Sequence, residues 1–159
     1  MADVRVSLLL DLIDQAFDHR AWHGTNLKGS IRGLRARDAS WRPSRARHNI
    51  WEIVIHAAYW KYAVRRRLTG ESRGSFPLAG SNWFVRAGGD KTAWRADLRL
   101  LNQEHAALRT AIAAVPPEAL RRRAPGGTTT NVELITGIAA HDLYHAGQIQ
   151  LLKKLRRPR

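Results

Sequence analysis

The sequence predicts an all-α protein, a four-helix bundle with a long connection between its second and third helices. Four segments repeat apolar residues at helical spacing, and no segment alternates apolar and polar residues as a strand does. Amphipathic helices in a chain of 159 residues must pack together to bury their apolar stripes. We therefore expect one domain over residues 1–159.

The first two predicted helices lie in the N-terminal half of the chain. The first runs from about Val4 to Arg20, and the pattern breaks between His19 and Gly24. A short helical turn is then indicated by three apolar residues: Leu27, Ile31 and Leu34. The second helix runs from about Ile50 to Leu68, and Gly70 is its expected end.

Capping boxes indicate where the second and fourth predicted helices begin. Asn49 is followed three positions later by Glu52, and Thr130 and Glu133 repeat this spacing at the fourth helix. The fourth helix then continues to about Leu155. Its seam, spaced alternately four and three residues apart, consists of Leu134, Ile138, His141, His145, Gln148 and Leu152.

The third predicted helix runs from about Lys91 to Val115 and ends at Pro116 and Pro117. Before it lies a connection of about 20 residues, Gly70 to Asp90, which spans about 60 Å when extended. A helix of about 25 residues is only about 37 Å long. The connection is therefore long enough to leave the second and third helices parallel, and we expect an up-down-down-up order.

His141 and His145 are the sharpest chemical feature of the sequence. Residues four apart lie on one face of a helix, so both imidazoles can approach the same ion. Both also fall on the apolar seam, where polar side chains need partners. A third ligand must come from another helix, and the periodicity leaves His56 and His105 equally suited. A second pair with the same spacing lies at the end of the first helix: His19 and His23.

Two stretches of the sequence resemble the DinB-like (DinB/YfiT) superfamily. The run from Asn49 to Trp60, which contains His56 and is followed by Leu68-Thr-Gly-Glu71, is similar to the second helix of that family. The run from His141 to Lys153 is similar to its fourth helix. Shorter similarities occur at residues 21–24 and 94–101, so the resemblance covers nearly the whole chain.

The resemblance implies a four-helix bundle, often a dimer, that binds one divalent ion through three histidines, here His56, His141 and His145. It also implies thiol-dependent transferase activity in some members, hydrolase activity in others, and no known activity in many. Three neutral imidazoles suit zinc or nickel, and three protein ligands leave coordination positions open, as in catalytic sites. The chain has no cysteine, so a thiol nucleophile must be a small diffusible cosubstrate.

Other residues near the histidines are candidates for a pocket. Gln148 lies one turn beyond the second histidine of the pair and can hydrogen-bond a group at the ion. Tyr59 and Trp60 can line a pocket or pack in the core. Glu52 can serve as a general base, although capping already accounts for it, and Asp142 is expected to face away from the ion.

The formal net charge of +14 raises the alternative of a nucleic-acid-binding protein. The 27 basic residues are 22 arginines and 5 lysines. The arginines cluster in loops and at helix ends, at residues 32–47, 65–67, 121–123 and 156–159, and no single helix concentrates them. We therefore expect no specific nucleic-acid partner. A non-catalytic metal-binding stress or interaction protein is the main alternative to an enzyme.

Composition excludes several classes of protein. Without cysteine there is no disulfide scaffold, thiolate metal site or iron–sulfur cluster. The longest apolar segment near the start, residues 6–13, is interrupted by Ser7 and Asp11, and no segment is apolar enough for a membrane span. The start also lacks a signal-peptide pattern. We expect a cytoplasmic protein with a small-molecule substrate and no membrane partner.

Overall fold

The computed structural model describes residues 3–124 and 126–156, and these form six α-helices. The helices are α1 (Val4–Phe17), α2 (Leu27–Ile31), α3 (Ala36–Ala39), α4 (Ile50–Thr69), α5 (Lys91–Ala113) and α6 (Asn131–Arg156). A 3₁₀ turn, Pro117–Ala119, follows α5. The described residues contain no strand, only an isolated bridge between Arg123 and Thr130. The predicted all-α class is confirmed.

The long helices α1, α4, α5 and α6 are the four that the sequence predicts, with ends that differ by a few residues. Helix α1 ends at Phe17 rather than near Arg20, because Asp18 leaves helical geometry with a φ of −147°. Helix α5 ends at Ala113 rather than at Val115, since a residue that precedes proline disfavours the helical conformation. Helix α3 has no predicted counterpart, because four residues are too few to show a periodicity.

Both ends of α4 form as expected. The side chain of Asn49 accepts a hydrogen bond from the amide of Glu52 at 2.8 Å, and the Glu52 carboxylate accepts one from the amide of Asn49 at 3.2 Å. Gly70 follows the helix with a φ of 76°, which glycine adopts without the steric cost of a side chain. The Thr130 and Glu133 box before α6 is also formed.

The core consists of two hydrophobic clusters. One joins the buried face of α1 and the N-terminal part of α6 to the C-terminal parts of α4 and α5. The other joins the C-terminal end of α1, together with α2 and α3, to the N-terminal parts of α4 and α5 and the C-terminal part of α6. The up-down-down-up order of the helices stays a prediction. Helix α4 packs against both α5 and α6, which brings its inner face to that of α6. Within the described ranges, no helix combines the length and apolar character needed to cross a membrane.

Candidate metal centre

Three histidines converge where α4 contacts α6. His56 belongs to α4, and His141 and His145 belong to successive turns of α6. The Nε2 atom of His141 lies 3.1 Å from that of His56 and 3.1 Å from that of His145. One ligand atom from each residue lies within 4.8 Å of the others. The structure thus brings together the three histidines that the resemblance implies, and it places His56 rather than His105 opposite the pair.

Two of the three rings are oriented by a second hydrogen bond. His56 donates from Nδ1 to the backbone carbonyl of Asn82 at 2.9 Å, and His145 donates from Nδ1 to the side-chain oxygen of Gln148 at 2.7 Å. Because both partners are acceptors, these rings carry their proton on Nδ1, and their Nε2 lone pairs face the shared centre. The Nδ1 atom of His141 is buried and has no hydrogen-bond partner among the described residues.

Burial keeps the three imidazoles neutral. It lowers the pKa of His56 to about 4 despite the bond to the Asn82 carbonyl. Burial, with a smaller effect of the other two histidines, lowers the pKa of His141 to about 3. Burial also lowers the pKa of His145, against the opposing effect of its bond to Gln148. Neutral imidazole is the form that binds a metal ion.

The donor set fits one divalent cation. The Nε2 atoms of three neutral imidazoles face one another. Since His56 and His145 carry their proton on Nδ1, at most one hydrogen atom, on Nε2 of His141, can form a hydrogen bond between any two of these nitrogens. The remaining lone pairs oppose one another in a partly desolvated space unless a cation lies between them. Three imidazole ligands suit zinc, nickel and other borderline divalent ions, and they leave coordination positions open to a further ligand.

A family model described as the DinB superfamily matches residues 19–149, a range that includes all three histidines. The chain belongs to the DinB superfamily. The resemblance found in the two histidine-containing helices is thereby confirmed. No match was found among curated proteins or among solved structures.

In this DinB superfamily protein, the connection between α4 and α5 covers one side of the histidines. The Trp83 ring stacks on that of His56, with 3.8 Å between centroids, and on that of His48, with 3.6 Å. Asn82 has a φ of 64°, and its side chain accepts a hydrogen bond from Nε1 of Trp60 at 2.9 Å. Neither Asn82 nor Trp83 is predicted from the sequence to belong to the site. The one available signal was a tryptophan within a Gly- and Ser-rich connection.

The two aromatic residues predicted for a pocket lie beside this connection. Tyr59 and Trp60 both line a cavity of about 410 Å³. The Trp60 ring centre lies 6.3 Å from the ring centres of both His56 and His141. Tyr59 also packs edge-on against Phe76, with 5.3 Å between centroids. Trp60 is therefore the one nearer to the histidines, and Tyr59 combines a lining position with aromatic packing.

A buried ion pair lies next to the histidines in the sequence. Asp142, which follows His141, binds the ammonium group of Lys61 in α4 rather than any of the three histidines. The two side chains are 1% and 2% exposed, Lys61 being the less exposed. The sequence did not predict this pair, because a lysine within an amphipathic pattern is normally assigned to the solvent-facing side.

The remaining histidines lie outside the cluster. His105 stacks on Phe17, with 3.7 Å between ring centroids, and its Nε2 lies 3.5 Å from a carboxylate oxygen of Asp14. His19 binds Asp18 at the exposed end of α1, and His23 is exposed. The structure therefore leaves His56 as the third member of the cluster.

Glu52 is fully engaged in local structure. Its carboxylate accepts a hydrogen bond from Arg42 at 2.7 Å and others from the amides of Asn49 and Arg86 at 3.2 Å. Burial would raise the pKa of Glu52, but these donors outweigh it and lower the pKa. Capping and the Arg42 ion pair account for this residue without a role in catalysis.

Proposed function

We propose that this DinB superfamily protein binds one divalent metal ion, zinc or nickel, through His56, His141 and His145, and uses it in chemistry on a small substrate. The observation that carries the proposal is the convergence of three neutral Nε2 atoms, with His141 3.1 Å from each of the other two. The reaction we propose is group transfer involving a low-molecular-weight thiol, with hydrolysis of a small substrate as the second candidate.

The chain's own residues hold the site in a form ready to bind. Asn82 and Gln148 orient the rings of His56 and His145 through Nδ1, so that Nε2 is the ligand atom. Trp83 covers one face of His56 and keeps water from it. A divalent ion held by three imidazoles supplies Lewis acidity, which favours the deprotonated form of a thiol or of water near neutral pH. Because the chain has no cysteine, the thiol comes from solution.

Elemental analysis of untagged protein tests the metal site. We expect about one divalent ion per chain in the wild type and loss of most of it in His56→Ala and His141→Ala, because two imidazoles hold an ion less tightly than three. His23→Ala, at an exposed position outside the cluster, is the control and keeps the ion. Full stoichiometric metal in both cluster variants would refute the assignment. Loss in His105→Ala but not in His56→Ala would move the third ligand to α5.

An activity screen tests the chemistry. Small thiols are combined with electrophilic acceptors, and hydrolysable esters and amides are tested without a thiol. Metal-loaded protein, chelated protein and His145→Ala are compared side by side. We expect turnover in the metal-loaded protein alone. Turnover that is unchanged by chelation would place the chemistry elsewhere. No metal-dependent turnover over the whole panel would favour a non-catalytic metal-binding stress or interaction protein.

We also propose that the protein forms a homodimer. The outer side of α1 presents three apolar side chains at four-residue spacing, Val4, Leu8 and Leu12, which are 68%, 63% and 39% exposed. Burying such a stripe against a second copy is favourable. Light scattering should give the mass of two chains for the wild type and a lower mass for Leu8→Glu. A monomeric wild type would refute the proposal.

A further inference from the structure

Arg67 lines three cavities, one of which is also lined by His141. This arginine, near the C-terminal end of α4, lines a cavity of about 170 Å³ together with Trp60 and His141. It also lines the cavity of about 410 Å³ that includes Asn82, and a third of about 520 Å³ beside the loop before α6. No other described residue lines all three. Arg67 therefore borders the cavity from which a small molecule can approach His141.

The arginines around these cavities are not neutralised by carboxylates. Arg66 and Arg73 line the two larger cavities beside Arg67. The ion pairs between arginines and carboxylates in the described part of the chain involve other arginines. Arg66 donates instead to a backbone carbonyl, that of Glu71, at 3.3 Å. Their positive charge is thus available to a ligand.

The acidic residues of the linings are already engaged. Glu71 lines the largest cavity, and its carboxylate binds Arg65, which is not part of that lining, at 2.5 Å. Glu133 lines the smallest cavity, and one oxygen of its carboxylate accepts hydrogen bonds from the amide and the hydroxyl of Thr130, each at 2.7 Å. The three arginines outnumber these two acids, so the linings carry an excess of positive charge.

The Trp60 ring lies close both to the Arg67 guanidinium and to the His141 ring. The guanidinium carbon of Arg67 lies 5.9 Å from the Trp60 ring centre, which lies 6.3 Å from the ring centre of His141. A ligand whose reacting atom lies at the histidines can therefore also contact the guanidinium of Arg67. The group that makes this contact must lie several bonds from the reacting atom within the ligand. Guanidinium groups bind carboxylates and phosphates through paired hydrogen bonds.

We infer that Arg67, assisted by Arg66 and Arg73, makes the site selective for a substrate that carries a carboxylate or phosphate several bonds from its reacting atom. The inference rests on the proposed function, because it takes the reacting atom to lie at the three histidines. Arg67 is a specificity-determining residue in this scheme and takes no part in bond making or breaking.

Calorimetric titration of the zinc-loaded protein with three matched thiols tests the inference. The thiols are mercaptohexanoate, mercaptohexyl phosphate and the neutral mercaptohexanol. We expect at least one of the two anionic thiols to bind about tenfold more tightly than the alcohol, which is the gain typical of a charge-assisted hydrogen bond. The anionic thiol that binds more tightly shows whether the site prefers a carboxylate or a phosphate. The preference should shrink as salt is raised, because the guanidinium is exposed.

Variants of Arg67 assign the preference to this residue. Arg67→Met keeps the aliphatic stem beside Trp60 but removes the charge, and it should abolish the preference. Arg67→Lys keeps the charge without the paired donors and should retain part of the preference for the anionic thiols. Arg95→Met changes the net charge equally at an exposed position of α5 that lines none of the three cavities, and it should behave as the wild type. Circular dichroism checks the fold of each variant.

The outcomes separate this inference from the proposed function. Equal affinities of the wild type for all three thiols would overturn the inference and leave the proposed function standing. Failure of every thiol to bind the metal-loaded protein would overturn the inference and count against the proposed thiol transfer, while the metal site would still be judged by elemental analysis. An anion preference that persists in Arg67→Met, or that is lost equally in Arg95→Met, would also overturn the inference, since Arg67 would then not be the group that selects.

Discussion

Among individual side chains, the buried pair of Lys61 and Asp142 links the two helices that carry the histidines. Both charges have lost their hydration, so the net contribution of the pair is small, whereas removal of one partner leaves the other charge buried and unpaired. Lys61 lies in the same helix as His56, and Asp142 is adjacent to His141. The α4–α6 contact on which the histidine cluster depends therefore requires both partners of the pair to be present together.

Removal of the lysine charge should destabilise the protein strongly. We expect Lys61→Met to lower the free energy of unfolding by about 3–5 kcal/mol, because Asp142 is left as an unpaired buried carboxylate. Combining it with Asp142→Leu should recover most of the loss, since no charge then remains unpaired. Urea unfolding followed by tryptophan fluorescence measures both. A double variant as unstable as the single one would assign the loss to packing rather than to charge.

The buried His105 should make stability depend on pH. Burial, and then the charges of Lys61 and Arg109, lower its pKa in the folded chain to about 3, although a carboxylate oxygen of Asp14 lies 3.5 Å from its Nε2. The unfolded chain, with a pKa of about 6.5, therefore binds a proton between these pH values that the folded chain does not. Stability contributed by neutral His105 is present above about pH 6.5 and is lost as the pH falls.

Unfolding at two pH values measures this effect. We expect the wild type to lose about 2 kcal/mol through His105 between about pH 7.5 and about pH 5. His105→Gln should lose correspondingly less over the same interval. His23→Gln, at an exposed position, should follow the wild type. Identical pH dependence in all three proteins would contradict the assignment to His105.

Between the helices, the long connection from α4 to α5 contributes directly to the histidine cluster. It brings the Asn82 carbonyl to Nδ1 of His56 and the Trp83 ring onto the same imidazole. Asn82 holds a left-handed backbone conformation, which asparagine tolerates better than most residues and which β-branched residues resist. The orientation of a metal-ligand candidate thus depends on the backbone of a loop.

Substitutions of Asn82 should separate its backbone role from its side-chain role. Asn82→Gly accepts the left-handed conformation, so the carbonyl stays in place and only the Trp60 hydrogen bond is lost. Asn82→Val opposes that conformation and should displace the carbonyl from His56. We expect Asn82→Gly to bind the metal with an affinity near that of the wild type and Asn82→Val to bind it about tenfold more weakly, as measured by competition with a chelator. Equal affinities for the two variants would show that the carbonyl does not position His56.

Over the molecule as a whole, the net charge of +14 is spread widely. Several arginines bind carboxylates within the fold: Arg35, Arg42, Arg65, Arg86, Arg109 and Arg156. Of the arginine cluster predicted at 156–159, only Arg156 lies within the described residues. We expect the charge that remains to attract anions without reading a base sequence.

We expect binding to DNA or RNA that is weak, independent of sequence and sensitive to salt. Contacts between scattered arginines and phosphates release counterions, so affinity should fall steeply between about 50 and 200 mM salt. Fluorescence anisotropy with two duplexes of unrelated sequence measures both properties. A nanomolar complex with one of them at physiological salt would contradict the expectation and favour a nucleic-acid-binding function.

Local sequence patterns were sufficient for the helices and for part of the site. Apolar periodicity and capping boxes act over a few turns, so they predicted the long helices α1, α4, α5 and α6 to within a few residues. The pairing of His141 with His145 was predictable for the same reason, since both lie on one helix face. The family resemblance added His56, which periodicity could not distinguish from His105.

The rest of the site depends on how distant segments pack. His56 and His141 are 85 positions apart, and Asn82 is 26 positions from His56, so no local pattern relates them. His56 and His105 occupy similar apolar stripes, yet the packing of α4 against α6 places one 3.1 Å from His141, while the other stacks on Phe17. Burial then sets the neutral state of the imidazoles, because desolvation disfavours charge only where the folded chain has excluded water.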